Sequence, residues 1–291
     1  MRVLVTGEKG FTARYVSALL KSLGHETLPL AADLTSSQEV ERRVSALAPD
    51  VVLHLAGISY VPQGTDAQVY AVNTVGTVTL LEALARLSKP PHRVVLASSA
   101  HVYGVQRGRL TEASPLAPVS HYGASKLAME HLARPYRTRF EIVIARPFNY
   151  TGAGQARHFL VPKLVEAFRT CQPVLRLGNI NVARDFSDVR RIAHAYLALL
   201  TNDHVPEVLN LCSGRAIAIE GMMEMLRAQT DCMPQLIIDP DLVRANEVDV
   251  QCGDPSLMEQ LLGDVAMPFE ETLRWMLSSP IEKSLMAAES P

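Results

Sequence analysis

The chain has 291 residues, a hydrophobic content of 48%, a charged content of 20% and a formal net charge of −2. That length buries one large core or two small ones, and the composition is that of a soluble globular protein. The balanced charge excludes a broad electrostatic grip on nucleic acid or an anionic membrane, so any phosphate must be held by a few placed side chains and backbone amides.

The cysteines, Cys171, Cys212, Cys232 and Cys252, form no C-x-x-C pair and no zinc spacing. They are expected to be reduced thiols of a cytoplasmic protein, with no metal site. A strand begins at Arg2 and no apolar run approaches the ~20 residues of a membrane span, so neither a leader nor an anchor is expected. Asn149-Tyr150-Thr151 matches the glycosylation pattern, but nothing points to secretion.

In chain order, Arg2–Thr6 is a short apolar run and reads as a buried strand. Gly7-Glu8-Lys9-Gly10-Phe11-Thr12-Ala13 follows, then a helical pattern with Phe11, Val16, Leu19, Leu20 and Leu23 on one side and Gly24 as C-cap. In a strand–glycine turn–helix unit, Gly7 lets the turn close and Gly10 lets backbone approach a pyrophosphate. The helix N-terminus then faces the phosphates. Ala13 stands where a third glycine often sits. An ordinary βα turn would look the same.

Residues 26–30 read as a second strand and 37–47 as a helix capped by Thr35 or Ser36. No acidic residue stands directly at the end of that strand, where a ribose 2′-hydroxyl would be bound. Lys9 in the glycine loop offers a charge to a 2′-phosphate. Together these favour NADP(H), with NAD(H) as the alternative. Residues 51–57 form the next buried strand, and His54 in it is expected to be a satisfied core histidine. A long helix spans 69–87, with Asn73 capping a strand end by hydrogen bonding.

Residues 92–99 form a strand ending in the hydroxyls of Ser98 and Ser99, the end where open α/β sheets bind ligands. A proline-bearing loop, 110–119, leads to Tyr122-x-x-x-Lys126 on a helix running to 133. On that helix the phenol and the ammonium share a face, and the cation is expected to lower the phenol's pKa. Such a tyrosine can exchange a proton with a substrate oxygen. Residues 140–147 are another strand. The alternation implies an α/β fold, a Rossmann-type doubly wound parallel sheet.

Beyond Pro147 the rhythm changes. Residues 148–157 read as a loop, 159–170 as a helix, and Val174–Leu177 as a short strand. Arg184 to Val189 opens a long helix over 189–200, and 208–211 is one more core strand. Residues 219–229, 236–238 and 270–277 complete a smaller mixed α/β C-terminal module with Trp275 in its core and a frayed tail over 282–291.

Taken together the pattern resembles the extended short-chain dehydrogenase/reductases that act on nucleotide sugars. The matching residues are Thr6-Gly7-x-x-Gly10-Phe11, Asp33-Leu34, His54-Leu55-Ala56-Gly57, Asn73, Ser98-Ser99-x-x-Val102-Tyr103-Gly104, Tyr122-x-x-x-Lys126, Arg146-Pro147-Phe148-Asn149 and Arg184-Asp185-Phe186-x-Asp188-Val189. Ile58-Ser59-Tyr60-Val61-Pro62, Tyr150-Thr151-Gly152-x-Gly154-Gln155, Gly178-Asn179-Ile180-Asn181-Val182 and Leu211-Cys212-Ser213-Gly214 are similar to the branch that reduces GDP-linked 4-keto-6-deoxy-mannose.

The resemblance implies Tyr122 as general acid, Lys126 as its partner and ribose ligand, and Ser99 on the reacting carbonyl. It implies a cofactor site built from Gly7, Lys9, Gly10, Phe11, Thr12, Asp33, Leu34, Leu55, Ala56, Gly57, Asn73, Ser98, Tyr122, Lys126 and Pro147. Asn149, Arg184 and Arg244 are candidates for the substrate pyrophosphate, since a guanidinium fork suits phosphate oxygens. An ion pair of Arg184 with Asp185 or Asp188 is the plain alternative. His101 is a further candidate substrate contact. Family dehydratases carry an acidic pair where this chain has Ala100-His101, which argues against elimination. The expected division is a dinucleotide-binding domain over 1–150, with 184–212 returning to it, and a substrate-binding module of 151–183 and 213–291. A homodimer through the 69–87 helix and the helix after Tyr122 is implied. The competing readings are a 4-epimerase that keeps NAD bound and a non-catalytic dinucleotide-binding redox sensor.

Overall fold

The computed structural model describes residues 1–59, 65–243, 249–263 and 267–279. Tyr60, Val61, Pro62, Arg244 and the 282–291 tail lie outside the described residues. The first half runs β1 (Arg2–Thr6), α1 (Phe11–Ser22), β2 (Glu26–Pro29), α2 (Ser37–Leu47), β3 (Val51–His54), α3 (Asp66–Tyr70), a π-helical segment (Ala71–Gly76), α4 (Thr77–Ala85) and β4 (Arg93–Ala97). A 3₁₀ turn (Ala100–Tyr103), β5 (Arg109–Leu110), α5 (His121–Ala133), β6 (Glu141–Pro147), β7 (Asn149–Thr151), α6 (Leu160–Arg169) and β8 (Val174–Leu177) follow. The remainder is β9 (Ala183–Asp188), α7 (Val189–Thr201), β10 (Val208–Leu211), β11 (Ala216–Ala218), α8 (Ile219–Thr230), β12 (Gln235–Ile238), β13 (Val250–Gly253), α9 (Ser256–Leu262) and α10 (Phe269–Ser278).

Six parallel strands form the main sheet in the order β10–β6–β4–β3–β1–β2. Its central strands are near-continuous runs of Val and Leu because both faces are covered. On one face α1 and α7 bring Val16, Leu20, Ile192 and Tyr196. On the other, α2, α4 and α5 bring Val40, Val44, Leu80, Leu84 and Met129. Each fully buried Leu or Val contributes roughly 1.5–3 kcal/mol of transfer free energy. The register pairs Thr6 with His54, His54 with Leu96, and Leu96 with Ile144. The carboxyl ends of four strands are therefore level, and the residues that follow them share one edge.

A separate apolar cluster gathers α6, α8 and α10 around Leu175, Leu177 and Phe186. Strands β11, β9, β13 and β5 form a second sheet, with β7 beside β9. Among the described residues no helix is long and apolar enough to cross a membrane.

Several local expectations change. Residues 184–188, read as the lead into the helix, are strand β9, and the helix begins at Val189 as expected. Asp188 is its N-cap, accepting from the Arg190 amide at 2.7 Å, so the polar residue that looked like a first turn is a stop for the strand. The 148–157 loop contains β7, which pairs with β9. The 69–87 helix starts at Asp66 and is π-wound over Ala71–Gly76. Strand β3 stops at His54. Ser36 occupies the α2 N-cap position without a side-chain bond, and the Thr35 hydroxyl donates to Asp33 instead. Leu23 is exposed. Trp275 sits at the rim of the C-terminal cluster, under the Arg190 guanidinium at 4.0 Å.

The cysteine expectation is also corrected: Cys171 and Cys232 are joined by a disulfide, with Cα atoms 5.4 Å apart and a sequence separation of 61, while Cys212 and Cys252 are free. The bond ties the end of α6 to the turn after α8, and no short-range spacing announces it. Cys171→Ser is expected to lower unfolding stability by about 2–4 kcal/mol, because it frees a long loop in the unfolded chain. Denaturant unfolding of both forms under non-reducing conditions checks this.

Candidate active site

The site begins with the turn after β1. Gly7 has φ +67°, and a Cβ there would lie 2.9 Å from the backbone N and Cα of Ala56. A Cβ on Gly10 would lie 2.9 Å from the Gly7 carbonyl, which accepts from the Gly10 amide at 2.8 Å. The turn thus needs glycine at both positions, and the small Ala56 beside it lets the strands come together. At the N-cap of α1, Gly10 brings no side-chain acceptor, so the first helical amides are left to a ligand, as a pyrophosphate cradle requires. Ala13 is buried in the core, where its methyl is accommodated. Gly7→Ala is expected to strain the turn by about 1–3 kcal/mol and to abolish dinucleotide binding. Isothermal calorimetry with NADPH reads the loss directly.

At the end of β2 the loop carries Asp33, exposed, whose carboxylate accepts from the Thr35 amide and hydroxyl at 2.9 and 2.7 Å. Those bonds hold it below the usual carboxylate range. Lys9 is exposed in the glycine turn. One cation here was not visible in the sequence pattern: Arg43 reaches back from α2 and donates from Nε to the Leu30 carbonyl at 2.9 Å and from Nη2 to the Pro29 carbonyl at 3.3 Å. It stands at the carboxyl end of β2, the position of an adenosine ribose in this type of fold.

The second part lies after β3 and β4. Ser99 caps the 3₁₀ turn, accepting from the His101 amide at 3.2 Å, and its side chain lies beside the Tyr122 phenol. Helix α5 starts where it does because Ser120 accepts from the Gly123 amide at 3.1 Å. Gly123 itself is required: a Cβ there would sit 2.6 Å from the His101 carbonyl. This close contact seats Tyr122 against the Ser99 turn. The His101 ring meets Tyr122 edge-on at 5.4 Å, and the residue lies at the surface.

One turn on, Lys126 Nζ donates to the Ala97 carbonyl at 2.8 Å. A Cβ on Gly57 would lie 3.1 Å from that nitrogen and 3.0 Å from Asn73 Oδ1. Asn73, in the π-wound segment, accepts from the Ile58 amide at 2.8 Å and donates to its carbonyl at 3.0 Å and to Ser125 Oγ at 3.1 Å. A π-turn rotates this one side chain onto the end of β3, a recurrent use of such turns at functional sites. His54 is the core residue expected: its ring nitrogens contact the Thr6 and Thr77 hydroxyls at 2.7 and 2.9 Å. Burial, with the Lys126 charge nearby, lowers its pKa to about 3, so it stays neutral.

The expected depression of the Tyr122 phenol is not what the chain produces. Burial pushes it up to about 12, with the Ser99 bond pulling back and the nearby Tyr150 raising it further. The Lys126 ammonium is turned to the Ala97 carbonyl, and burial lowers its own pKa to about 8 against the attraction of Glu130.

Ser98 is a correction. Its side chain is 2% exposed and donates to Glu130 Oε1 at 2.5 Å, so it points into the protein and not toward a ligand. Glu130 is bound by Arg146 through Nε at 2.9 Å and Nη2 at 2.6 Å. Arg146 Nη1 donates to the Tyr103 hydroxyl and the Glu112 carbonyl, both at 3.1 Å, and Tyr103 donates to Asn210 Oδ1 at 2.6 Å. This buried network was not foreseen, because its members are scattered over α5, β6, the 3₁₀ turn and β10.

On the far side, Tyr150 of β7 shares a 2.7 Å bond with Thr12 and stacks on Phe11 at 6.2 Å. Next to it Asn149 donates to the Asp185 carbonyl at 3.2 Å. Arg184 donates to the carbonyls of Ala183 and Asp249 at 2.9 and 3.3 Å. The carboxylates offered as its partners are otherwise engaged. Asp185 accepts from the Ser213 amide and hydroxyl, both at 2.7 Å, and from the amides of Gly214 and Gly253 at 2.9 and 3.2 Å. Asp188 binds Arg190 at 2.7 Å.

The glycine turn, Ala56, Gly57, Asn73, Ser99, Tyr122 and Lys126 thus line the carboxyl edge of β1, β3 and β4. The turn fits a dinucleotide pyrophosphate by shape, since side chains at Gly7 and Gly10 would fill it.

Known proteins share this fold and about a third of this sequence. The profile described as "NAD dependent epimerase/dehydratase family" matches residues 3–212. The GDP-6-deoxy-D-talose 4-dehydrogenase of Aggregatibacter actinomycetemcomitans is 32% identical over 270 residues, covering 91% of this chain and 92% of that protein. The GDP-6-deoxy-D-mannose reductase of Pseudomonas aeruginosa is 31% identical over 295 residues, covering 95% and 96%. Among solved structures, RMD from Pseudomonas aeruginosa complexed with NADPH superposes with a TM-score of 0.84 at 30% identity, covering 95% of this chain and 96% of that one. With its glycine turn, its Ser–Tyr–Lys edge and these relatives, the chain belongs to the NAD dependent epimerase/dehydratase family, enzymes of the extended short-chain dehydrogenase/reductase type that use a nicotinamide dinucleotide.

Proposed function

We propose that the protein reduces the 4-keto group of a GDP-linked 4-keto-6-deoxy sugar, with NADPH as the favoured reductant. The carrying observation is that the Ser99 side chain and the Tyr122 phenol lie together, one helical turn from a buried Lys126, at the shared edge of β3 and β4. A bound reduced nicotinamide supplies the hydride. Tyr122 delivers the balancing proton to the 4-oxygen, and Ser99 donates a hydrogen bond to that oxygen as it gains charge. Lys126 holds the ribose hydroxyls and Asn73 braces the end of β3.

Burial raises the Tyr122 pKa to about 12, so the cofactor-free protein holds the phenol protonated at neutral pH. A 4-epimerase, the second reading, must first take a proton from a 4-hydroxyl and needs the phenolate. Relatives that include a UDP-glucose 4-epimerase of Mycoplasma genitalium, 30% identical over 73% of this chain, keep that reading in view. Ala100-His101 leaves no acidic pair for dehydration.

NADPH is favoured because Lys9 is exposed in the glycine turn, Arg43 stands at the end of β2 and no carboxylate ends that strand directly. The sugar nucleotide is read by the module of 151–183 and 213–291, with Asn149, Arg184 and Arg244 as candidate ligands of its pyrophosphate and His101 of the sugar. Val75 and Leu132, 58% and 47% exposed on the α3–α4 and α5 faces, are the seam of a homodimer; sedimentation equilibrium tests it. A cofactor-free preparation should consume NADPH in proportion to a GDP-linked 4-keto-6-deoxy sugar. Copurified NAD with interconversion of 4-epimers and no NADPH consumption would replace this reading with the epimerase.

A further inference from the structure

Helix α1, whose first turn is the pyrophosphate cradle, is fastened to the segment beyond β6 by three side-chain bonds that the chemistry above does not use. Arg14 Nη2 donates to the Gly154 carbonyl at 2.7 Å, and the Tyr15 hydroxyl donates to the Ala153 carbonyl at 2.6 Å. The third bond, Thr12 to Tyr150 at 2.7 Å, differs in kind because it joins two hydroxyls. Two hydroxyls joined by one bond use one hydrogen and keep the other. Among the described residues neither oxygen has a further partner, so this pair holds a hydrogen to give at the start of α1.

Tyr150 is placed to give it. Its ring stacks on Phe11 at 6.2 Å and 10°, so the phenol lies against the first helical turn, where the amides have no side-chain cap. Burial raises its pKa against the pull of the Thr12 bond, and the phenol keeps its proton at neutral pH. A chain in which Thr12 donates to Tyr150 and Tyr150 to a phosphate oxygen gives the anion the more acidic hydrogen. The direction of approach is also defined. The main sheet has β2 at one end and β6 beyond β4. The adenosine belongs at the β2 side, while Ser99 and Lys126 mark the nicotinamide end at β4. Strand β7 follows β6 directly, so Tyr150 meets the glycine turn from the nicotinamide side.

We propose that Tyr150, oriented by Thr12, is a cofactor-binding residue that donates to the nicotinamide-side phosphate of the dinucleotide. It requires the dinucleotide common to the family and not the sugar chemistry proposed above.

Tyr150→Phe keeps the ring on Phe11, and the Arg14 and Tyr15 bonds still hold the segment to α1. Calorimetry then compares NADPH with adenosine 2′,5′-bisphosphate, which carries the 2′-phosphate and the adenosine-side phosphate but lacks the nicotinamide-side one. NADPH affinity is expected to fall about tenfold or more while that of the bisphosphate is unchanged, as loss of one hydrogen bond to a charged group predicts. NADH against AMP gives the same contrast in a chain that prefers NAD, so the outcome is separable from failure of the reductase reading. An equal loss for whole and half ligand makes the phenol a support of the helix start, and no loss for either makes it a fastening alone; both overturn the proposal. Should the variant fail to fold, 3-fluorotyrosine placed at position 150 carries the test. Its ¹⁹F signal should move with NADPH and stay in place with the bisphosphate, and a signal moved alike by both or by neither overturns the proposal.

Discussion

Tyr122→Phe is expected to lower kcat by about 10²–10⁴-fold while leaving NADPH affinity unchanged. The size follows from the role: a positioned acid is lost, about 3–5 kcal/mol of barrier at 1.36 kcal/mol per factor of ten. The selectivity follows from the structure. Phenylalanine keeps the ring that meets His101 edge-on and keeps the Gly123 contact that seats the helix. It removes only the hydroxyl beside Ser99. Steady-state kinetics and a fluorescence titration of NADPH together check this. Unchanged turnover would remove Tyr122 from the mechanism, and lost binding would make it a cofactor ligand first.

The second large effect is on stability. Arg146→Met is expected to destabilise the fold by about 3–5 kcal/mol, because it leaves the Glu130 carboxylate buried without its charge partner. Two hydrogen bonds of 2.6 and 2.9 Å vanish from a site where both side chains are about 5% exposed. The exposed pair Arg86–Glu41, at 3.1 Å, is the contrast: Arg86→Ala should cost under about 1 kcal/mol. Urea unfolding of the two variants side by side measures the difference. Equal losses would show that burial does not set the value of these pairs.

The main sheet was legible because its strands are runs of Val, Leu and Ile between glycine turns, a pattern only a strand covered on both faces sustains. Tyr122, Lys126, Gly7 and Gly10 were legible because their spacing is local. What escaped depends on contacts across the chain. Residues 184–188 alternate weakly and are strand only because β7, β11 and β13 pair with them. Arg43 reaches a strand 13 residues back. The Cys171–Cys232 bond spans 61 residues. The Tyr122 pKa went the other way because burial of the phenol raises it, and a carbonyl on β4 claimed the Lys126 ammonium. The hydroxyl of Ser98 looked as useful as that of Ser99 until alternation along the β4 exit sent it inward to Glu130.

Reduction at the sugar carbonyl is tested most directly by isotope transfer. The purified protein is given a GDP-linked 4-keto-6-deoxy hexose and NADPH bearing deuterium at the transferable position of its nicotinamide, and the product is analysed by mass spectrometry and NMR. One deuterium at sugar C4, with an equal amount of oxidised cofactor, is the predicted result. A 4-epimerised product without label, or labelled cofactor left intact in the presence of that sugar, would contradict it.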